Sequence, residues 1–317
     1  MKKSRSRAIR NLSDYLVNAV ARGVLWAALR LPYRWRVPLF GWLVSRAIAP
    51  LAGYRRRVRD NLKYVCPEMP PAQVARIVRG APDNLGRFLI ELFSGRQFLE
   101  HVQDVPLSGE GTRALEQAHA AHLPVILVSG HFGNLEVPRA ALLARGYRVG
   151  GVFTPMKNKF FAARFERAFK MIGTPVFRRN RRGLGEMLRF LRDGGMVGFL
   201  LDQHMSGGAD LKFFGKPART ALSAAELALK HQALLVPIYG IRQPNGLDFS
   251  ILVEAPIAHT TATEMTQALN DSLENMVRQH MDQWLWMHRR WKPERMAARL
   301  SAAAPPRKPA PDRPPAK

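Results

Sequence analysis

The chain has 317 residues, of which 47% are apolar, so it can bury a sizeable core and is not an intrinsically disordered protein. Its formal net charge of +25 indicates an anionic partner: nucleic acid, a phospholipid surface, or an acidic protein or substrate. The single cysteine, Cys66, excludes an internal disulfide framework.

Residues 1–50 form a basic segment in which short apolar stretches are separated by arginines. No stretch reaches the ~18–20 apolar residues of a spanning helix, and we expect no secretory signal peptide. Arginine interleaved with apolar side chains is typical of helices that lie in a membrane interface, and the alternative is a helical pair packed on the main domain. The apolar side chains concerned are Tyr15, Leu16, Trp26, Leu29, Trp35, Phe40 and Trp42.

The next segments are also helical in pattern. Residues 51–63 predict a strongly basic helix, which is either a solvated face or a contact for lipid phosphate. Residues 72–101 predict one or two amphipathic helices. From about residue 105, apolar strands alternate with helices closed by glycine.

This alternation predicts an α/β fold with a mostly parallel sheet flanked by helices. Strands are predicted at residues 123–130, 147–155, 174–180, 196–203, 233–242 and 247–257, and helices at 111–122, 135–146, 158–173, 183–195, 223–231 and 262–283. Residues 209–220 predict a loop, and Ser223 with Glu226 predicts a capping box for the helix that follows.

Three segments follow from these patterns. Residues 1–50 are expected to form basic helices at a membrane interface, and residues 51–300 the α/β domain. Residues 301–317 are rich in proline, alanine and basic side chains, which is typical of a disordered tail.

Two polar residues, His131 and Asp202, each come just after a predicted apolar strand. Active sites of such sheets lie beyond the carboxyl ends of the strands, so we expect both side chains at one crevice. Glu136 follows His131 by five residues, a spacing that brings the two together only if the chain turns sharply between them. Gly133 permits such a turn, and Asn134 is a suitable helix N-cap.

A carboxylate on one ring nitrogen of His131 would fix the tautomer and leave the other nitrogen as a general base. Backbone N–H groups at the following helix N-terminus would then be available to an oxyanion or a phosphate. The alternative is a histidine that only forms hydrogen bonds within its turn.

Several other chemistries lack their motifs. The residues around Ser129 lack the first glycine of a G-x-S-x-G nucleophile elbow, and no H-E-x-x-H sequence occurs. No pair among His131, Glu136, Asp202 and His204 has a recognised zinc-ligand spacing. We therefore expect no metal and no cofactor.

The segment HFGNLE resembles the H-x4-D/E box of the glycerolipid acyltransferases, in the H-x4-E form of the lipid A late acyltransferases. Four further segments resemble blocks of that family in the same order, so the likeness runs from about residue 10 to residue 293. They are FTPMKN, GFLLDQ, FFGKPARTALSAAELALKHQALLVPIYGIR and QWLWMHRRWKP. One departure is Thr154, which stands where the family commonly has arginine.

The resemblance implies that a fatty acyl chain passes from a thioester donor, acyl-carrier protein, to a hydroxyl of a lipid A precursor. His131 would take the proton of that hydroxyl and Glu136 would orient the imidazole, with no nucleophile from the protein. The expected location is the cytoplasmic face of the inner membrane, as a peripheral or monotopic protein. The anionic carrier, glycolipid and lipid surface would account for the positive charge, and no nucleic acid is expected.

The same resemblance gives candidate substrate contacts. Lys157 or Arg164 would replace the missing arginine beside Asn158, and Asp202 with Gln203 would bind sugar hydroxyls or brace the site. Lys216 and Arg219 precede a predicted helix N-terminus, a suitable place for phosphate. The remaining candidates are Gly133 and Asn134 of the turn.

Alternatives remain open at this point. Within the family the acceptor could be a lysophospholipid, an ornithine lipid or a mannosylated phosphoinositide. A basic nucleic-acid-binding protein would carry a similar charge but would show a recognition motif, and a lipid hydrolase would need an activated nucleophile. The basic run of residues 178–183 is equally compatible with an anion site and a solvated loop.

Overall fold

A computed structural model describes Tyr15, residues 18–155 and residues 158–292. Lys157 and the predicted tail at residues 301–317 lie outside these described residues. Within them, no helix combines the length and the apolar character that crossing a bilayer requires.

Helices and strands alternate through most of the chain. Helix α1 is described over residues 18–29, and the others are α2 (Tyr33–Leu43), α3 (Ala49–Leu51), α4 (Tyr54–Val65), α5 (Pro71–Phe93), α6 (Arg96–Val102), α7 (Thr112–Ala120), α8 (Glu136–Ala144), α9 (Lys159–Ile172), α10 (Arg181–Arg192), α11 (Ser223–His231) and α12 (Ala262–Gln279). The strands are β1 (Leu107–Ser108), β2 (Val125–Ser129), β3 (Val149–Phe153), β4 (Val176–Arg178), β5 (Met196–Leu200), β6 (Ala209–Phe213), β7 (Lys216–Thr220), β8 (Leu234–Arg242) and β9 (Phe249–Val253). A π-helical turn, Val44–Ile48, joins α2 to α3, and a short 3-10 helix, Met281–Gln283, follows α12.

Seven strands form one sheet in the order β1-β9-β8-β2-β5-β3-β4. The five strands from β8 to β4 are parallel to one another, and β9 pairs antiparallel with β8. Strand β2 lies inside the sheet, and all of its residues are buried, as expected where helices cover both faces. The predicted α/β fold with a mostly parallel sheet is confirmed.

Strand β2 contributes side chains to both hydrophobic clusters of the domain, because successive side chains of a strand point to opposite faces. Ile126 and Val128 belong to a cluster that includes α10, α11 and α12. Val125 and Leu127 belong to a second cluster that includes α7, α8 and α9. The carboxyl end of β2 therefore lies between two packed clusters.

The N-terminal helices pack on α5 through one side only. Val37, Phe40 and Val44 are buried against Ile90, together with residues of α1. Gly86 allows this approach, since a Cβ atom there would lie 2.7 Å from the carbonyl oxygen of Phe40. The opposite side of these helices carries large exposed apolar side chains: Val20, Val24, Trp26, Trp35, Leu39, Trp42, Ile48 and Leu51.

Two local predictions were wrong. Residues 209–220, expected as a loop, form an antiparallel hairpin of β6 and β7. Phe214 and Gly215 make its two-residue turn, both with positive φ, as type I′ turns require. The expected capping box is absent because α11 begins at Ser223 itself, after Leu222, which makes no side-chain cap.

Candidate active site

His131 and Asp202 meet at the carboxyl ends of two neighbouring parallel strands. Ser129, the last residue of β2, is paired with Leu200, the last residue of β5. His131 and Asp202 each follow the last residue of their strand by two positions. Nδ1 of His131 lies 2.8 Å from Oδ1 of Asp202, and the backbone N–H of His131 donates to Oδ2 at 2.8 Å. The sequence prediction that these two side chains share one crevice is confirmed.

The two groups stabilise each other's charged forms. Burial acts to lower the pKa of His131, but the charge and the hydrogen bond of Asp202 outweigh it, so the pKa is raised above the ordinary histidine value. Burial acts to raise the pKa of the Asp202 carboxyl, yet the charge and hydrogen bonds of His131 and the Trp284 indole bring it down to about 2. Because an ionised carboxylate only accepts, Nδ1 carries the proton and Nε2 is the basic nitrogen.

Residues 283–292, which we call the C-terminal block, hold this pair in place. The indole N–H of Trp284 donates to Oδ2 of Asp202 at 2.9 Å. The backbone N–H of Leu285 donates to the carbonyl of His131 at 3.0 Å, and Phe132 forms a bridge with Trp284. Side-chain and backbone contacts therefore fix both ends of the His131–Asp202 hydrogen bond.

Glu136 was predicted to supply the carboxylate that contacts the imidazole of His131, but in the structure it does not. It is buried at the first turn of α8, where Arg139 donates to Oε2 through Nε at 2.8 Å. Arg139 also donates to the carbonyls of Phe169 and Gly173. Residues three apart on a helix are neighbours, so Glu136 pairs with Arg139 within α8. The carboxylate that contacts His131 is instead Asp202, which follows β5.

In the turn between β2 and α8, two backbone N–H groups are already occupied by protein carbonyls. Gly133 has φ of +52°, and a Cβ atom there would collide with the carbonyl oxygen of Gly240. Its N–H donates to the carbonyl of Gln283, and the N–H of Asn134 donates to that of Gly240. Because the N–H groups of Gly133 and Asn134 are already bonded, they do not form the oxyanion site that was expected at this helix N-terminus.

Asn134 belongs to a buried polar network and not to an open substrate surface. Its Oδ1 accepts from the N–H of Glu136 at 2.9 Å, and its amide donates to Glu91 at 2.8 Å. Arg242 holds the same Glu91 carboxylate through both terminal nitrogens, at 2.6 and 2.7 Å. Such bidentate pairs are geometrically specific, and this one fixes α5 against β8 behind the turn.

The family follows from a comparison with known sequences. Residues 2–293 match the family described as bacterial lipid A biosynthesis acyltransferase. The chain belongs to this family. It is 24% identical over 301 residues to a lipid A biosynthesis lauroyltransferase of Escherichia coli (strain K12), covering 88% of this chain and 92% of the relative. It is 22% identical over 275 residues to a phosphatidylinositol mannoside acyltransferase of Mycobacterium tuberculosis (strain ATCC 25618 / H37Rv), covering 79% and 86%.

A third relative is a lipid A biosynthesis palmitoleoyltransferase of Escherichia coli (strain K12), 24% identical over 292 residues, with 85% of this chain and 89% of the relative covered. The protein is therefore an acyltransferase, and its family is the one that the five sequence blocks resemble. Membership of this family favours the enzyme over the nucleic-acid-binding alternative.

In this acyltransferase, Gln203 lies at the basic nitrogen of His131. Nε2 of its side-chain amide is 3.3 Å from Nε2 of His131, and the side chain is exposed. Arg290 donates to the backbone carbonyl of Gln203 at 3.3 Å. An acceptor hydroxyl that approaches His131 must therefore replace or share this amide contact.

Arg290 is a buried cation of the C-terminal block. It donates to the carbonyl of Arg219 at 2.7 Å and to the hydroxyl of Thr220 at 2.6 Å. Burial lowers its pKa to about 10, which Asp202 partly opposes, so it stays charged at neutral pH. It connects the β6–β7 hairpin to the segment that carries Asp202.

The two cations predicted to hold phosphate have different surroundings. Arg219 is committed to the hairpin, because its guanidinium donates to the carbonyl of Gly208 and lies 3.4 Å from Asp210. It lies in β7 and not in a loop before α11. Lys216 is the first residue of β7, and its Nζ lies 5.5 Å from the ring centre of Tyr64.

The remaining substrate candidates are not joined to the His131–Asp202 pair by any described hydrogen bond or ion pair. Asn158 caps α9, with Oδ1 accepting from the N–H groups of Phe160 and Phe161 at 3.0 and 3.2 Å. Arg164 is exposed on the same helix. Lys157 lies outside the described residues, so its predicted role stays a prediction.

The tryptophans of the C-terminal block belong to the core. Trp284, Trp286 and Trp291 are all buried and pack on one another and on Phe213. They form core and not a lipid surface. In the basic run, Asn180 caps α10 by accepting from the N–H of Gly183, and Arg178 and Arg182 pair with Glu166 and Glu186.

Across the described residues, no group of three or more His, Cys, Asp and Glu side chains is arranged to hold a metal ion. The arrangement that remains is a histidine held by an ionised carboxylate. Its tautomer is fixed, 26% of the side chain is exposed, and its second nitrogen lies 3.3 Å from the exposed amide of Gln203. Such a group accepts a proton from a neighbouring hydroxyl.

Proposed function

We propose that this acyltransferase moves a fatty acyl chain from a thioester donor to a hydroxyl of a lipid A precursor, with His131 as the general base. One observation carries this proposal: Asp202 holds Nδ1 of His131 at 2.8 Å, which leaves Nε2 for an external hydroxyl. The same arrangement activates hydroxyl nucleophiles in enzymes of unrelated fold.

The reaction balances without a nucleophile from the protein. Nε2 of His131 takes the proton as the acceptor oxygen bonds to the thioester carbonyl carbon. The tetrahedral intermediate then expels the thiolate, which receives that proton from the imidazolium. Asp202 stays ionised throughout and stabilises the imidazolium. The Gln203 amide, 3.3 Å from Nε2 of His131, is a side-chain donor for the developing oxyanion.

Acyl-carrier protein is the proposed donor, and a bisphosphorylated glycolipid is the proposed acceptor. Both are anionic, which agrees with a net charge of +25. Direct transfer within one ternary complex also requires both substrates to be bound together, so separate basic surfaces for carrier and lipid are expected.

We further propose that α1 and α2 lie on the cytoplasmic face of the inner membrane. Trp35 and Trp42, seven residues apart on α2, are 60% and 56% exposed. Arg34 lies 5.9 Å from the ring centre of Trp35, and Arg30 lies 4.9 Å from that of Trp26. Exposed tryptophan beside arginine suits the headgroup level of an anionic bilayer.

A second acceptor is a mannosylated phosphoinositide, because a relative named phosphatidylinositol mannoside acyltransferase matches over 275 residues. The chemistry at His131 would be the same. Lysophospholipids and ornithine lipids are further acceptors that this chemistry allows. The lipid A precursor is preferred because the C-terminal block resembles that branch of the family.

The test is an acylation assay with the native protein and its His131→Ala variant, in membranes that lack other acyltransferases of this family. Acyl-carrier-protein thioester is supplied with a Kdo-bearing tetra-acyl lipid A precursor, and separately with a mannosylated phosphoinositide or a lysophospholipid. Mass spectrometry then detects one added acyl chain.

We expect one added chain on the lipid A precursor with the native protein, and a rate about 10²–10⁴-fold lower with the variant. Acylation that survives in the variant would exclude His131 as the base. Acylation of the phosphoinositide or the lysophospholipid alone would keep the mechanism and reject the proposed acceptor.

A further inference from the structure

A large basic cleft lies between α4 and the C-terminal block. Its volume is about 1070 Å³, slightly above the ~300–1,000 Å³ of small-molecule sites. Helix α4 contributes one wall and the C-terminal block the other. The cleft is lined by Arg57, Asp60, Asn61, Lys63, Tyr64, Met287, His288, Arg289, Trp291 and Lys292.

The four cations of this cleft have no carboxylate partner among the described residues. No ion pair joins Arg57, Lys63, Arg289 or Lys292 to a described acid, and the guanidinium of Arg57 lies over the ring of Tyr54. Several arginines elsewhere among the described residues are paired with carboxylates: Arg87 with Asp83, Arg139 with Glu136, Arg178 with Glu166, Arg242 with Glu91, and Arg278 with Glu274. Unpaired like charges that converge on a concave surface favour an anionic ligand.

The walls of the cleft are rigid. The amide of Asn61 donates to the carbonyls of Trp286 and His288, at 2.7 and 2.9 Å, and so ties α4 to the C-terminal block. Met287 and Trp291 are buried. Lys216, predicted from the sequence to hold phosphate, lies over the ring of Tyr64 and adds a fifth cation at this wall.

His288 is a neutral donor within this basic surface. Its Nε2 accepts from the backbone N–H of His204 at 3.2 Å, so the ring proton is on Nδ1. Burial lowers the pKa of His288 to about 4. The charge of Asp202 opposes this shift, and the charges of His131, Arg290 and Lys292 add to it. The ring therefore stays uncharged at neutral pH.

The cleft is joined to the proposed base through three consecutive residues. Asp202 holds His131, Gln203 touches Nε2 of His131, and His204 donates to His288 of the cleft. A ligand held by Arg289 and Lys292 is thus separated from the reacting nitrogen by one short segment. This connection favours a role for the cleft in binding the part of a substrate next to the group that reacts.

We propose that this cleft binds the phosphorylated sugar headgroup of the acceptor lipid, with Arg57, Lys63, Arg289 and Lys292 around the phosphate. The proposal rests on the function proposed above, and adds where the acceptor is recognised. The volume exceeds the needs of one free phosphate, and the concave shape suits a small headgroup better than the convex acidic surface of a carrier protein.

The test measures binding without catalysis. The full chain carrying His131→Ala is titrated with glucosamine 1-phosphate, with glucosamine and with inorganic phosphate, and binding is followed by NMR. The variant Arg289→Gln/Lys292→Gln removes two cations of the cleft. A second variant, Arg57→Gln/Lys63→Gln, removes two from the opposite wall.

The matched control is Arg113→Gln/Lys230→Gln, which removes two exposed cations of α7 and α11, outside the cleft lining. Its loss of net charge is the same as that of each cleft variant. Thermal unfolding of every variant identifies any that fails to fold, and the two cleft variants serve as replacements for each other.

We expect glucosamine 1-phosphate to bind most tightly, and each cleft variant to weaken it about tenfold or more, while the control binds like the parent chain. Unchanged binding in both cleft variants, or equal weakening in the control, would overturn the proposal. If inorganic phosphate bound as tightly as glucosamine 1-phosphate, recognition of the sugar headgroup by the cleft would be excluded.

A further arm uses acyl-carrier protein. Cleft variants that lose affinity for the carrier but not for the sugar phosphate would show a protein-docking surface and overturn the proposal. Because these measurements need no acyl transfer, failure of the acylation assay leaves a positive binding result standing. Successful acylation with no cleft binding would refute the cleft alone.

Discussion

His131 and Asp202 are 71 positions apart in the chain and are joined by two hydrogen bonds, both 2.8 Å long. One bond holds the ring and the other holds the backbone, so the carboxylate fixes the position and the tautomer of the imidazole together. The Trp284 indole completes the environment of the same carboxylate at 2.9 Å. The general base is therefore assembled from β2, β5 and the C-terminal block.

Asp202→Asn should lower both the rate and the pH at which activity appears. Asp202 raises the pKa of His131, and only the neutral imidazole is a base, so the acid limb of kcat/KM should lie above the ordinary value of 6.5 in the native enzyme. Without the carboxylate charge, burial dominates and the limb should move to lower pH. The maximum should fall about 10²–10⁴-fold, as measured by a pH–rate profile.

The control is Asp193→Asn, an exposed carboxylate paired with Arg148 at 2.7 Å. It should leave the profile unchanged. An acid limb that stays at the native pH in Asp202→Asn would contradict the assignment of Asp202 as the partner of His131.

Glu136→Gln should act on stability, because Glu136 and Arg139 are both buried and paired at 2.7 Å. Removing one partner of a buried ion pair leaves an uncompensated charge, at a cost of about 3–5 kcal/mol in the free energy of unfolding. Denaturant unfolding measures this loss.

The same variant separates a structural from a catalytic role of Glu136. The acid limb of kcat/KM should stay at the native pH, since Glu136 does not touch His131. A shifted limb with native stability would place the Glu136 carboxylate on the imidazole during the reaction.

His288→Gln should reduce the acid sensitivity of the fold. The pKa of His288 is lowered to about 4 from an ordinary 6.5, so the unfolded chain binds the extra proton between these pH values. Its contribution to stability is present above 6.5 and is lost as the pH falls towards 4. Glutamine keeps an acceptor for the His204 N–H but does not titrate.

The measurement is the free energy of unfolding between pH 4 and pH 6.5 for native and variant protein. The variant should show the smaller slope. His131 does not interfere, because a raised pKa makes its contribution fully present below 6.5 and lost only at higher pH. Equal slopes would mean that the pKa of His288 is not lowered in the folded protein.

Trp35→Ala/Trp42→Ala should weaken binding to vesicles that contain anionic lipid. Membrane affinity of interfacial helices scales with the apolar area buried, so loss of two exposed tryptophans should reduce it about tenfold or more. Leu123→Ala, at a residue 48% exposed in the loop before β2, is the control and should bind normally. The measurement is flotation with these vesicles. Equal flotation of the native protein, the variant and the control would show that α2 does not contact the membrane.

Much of the fold was predictable because periodicity is a local property. The alternation of apolar strands and glycine-closed helices predicted the parallel sheet. The hairpin of residues 209–220 was missed, since Pro217 and several charged side chains hide the alternate burial of Leu211 and Phe213. Its turn at Phe214 and Gly215 also lacks the usual asparagine or aspartate.

The five sequence blocks were sufficient to predict the family and the chemistry at His131. The meeting of His131 with Asp202 was also predictable, because parallel strands bring their carboxyl ends to one edge of the sheet. Tertiary structure decided which carboxylate reaches the imidazole. Glu136 is nearer in sequence, but Arg139 lies beside it on α8 and neutralises its charge. Only packing also revealed that Trp284 supports Asp202 and that cations of α4 and the C-terminal block converge on one cleft, since such contacts join residues far apart in the chain.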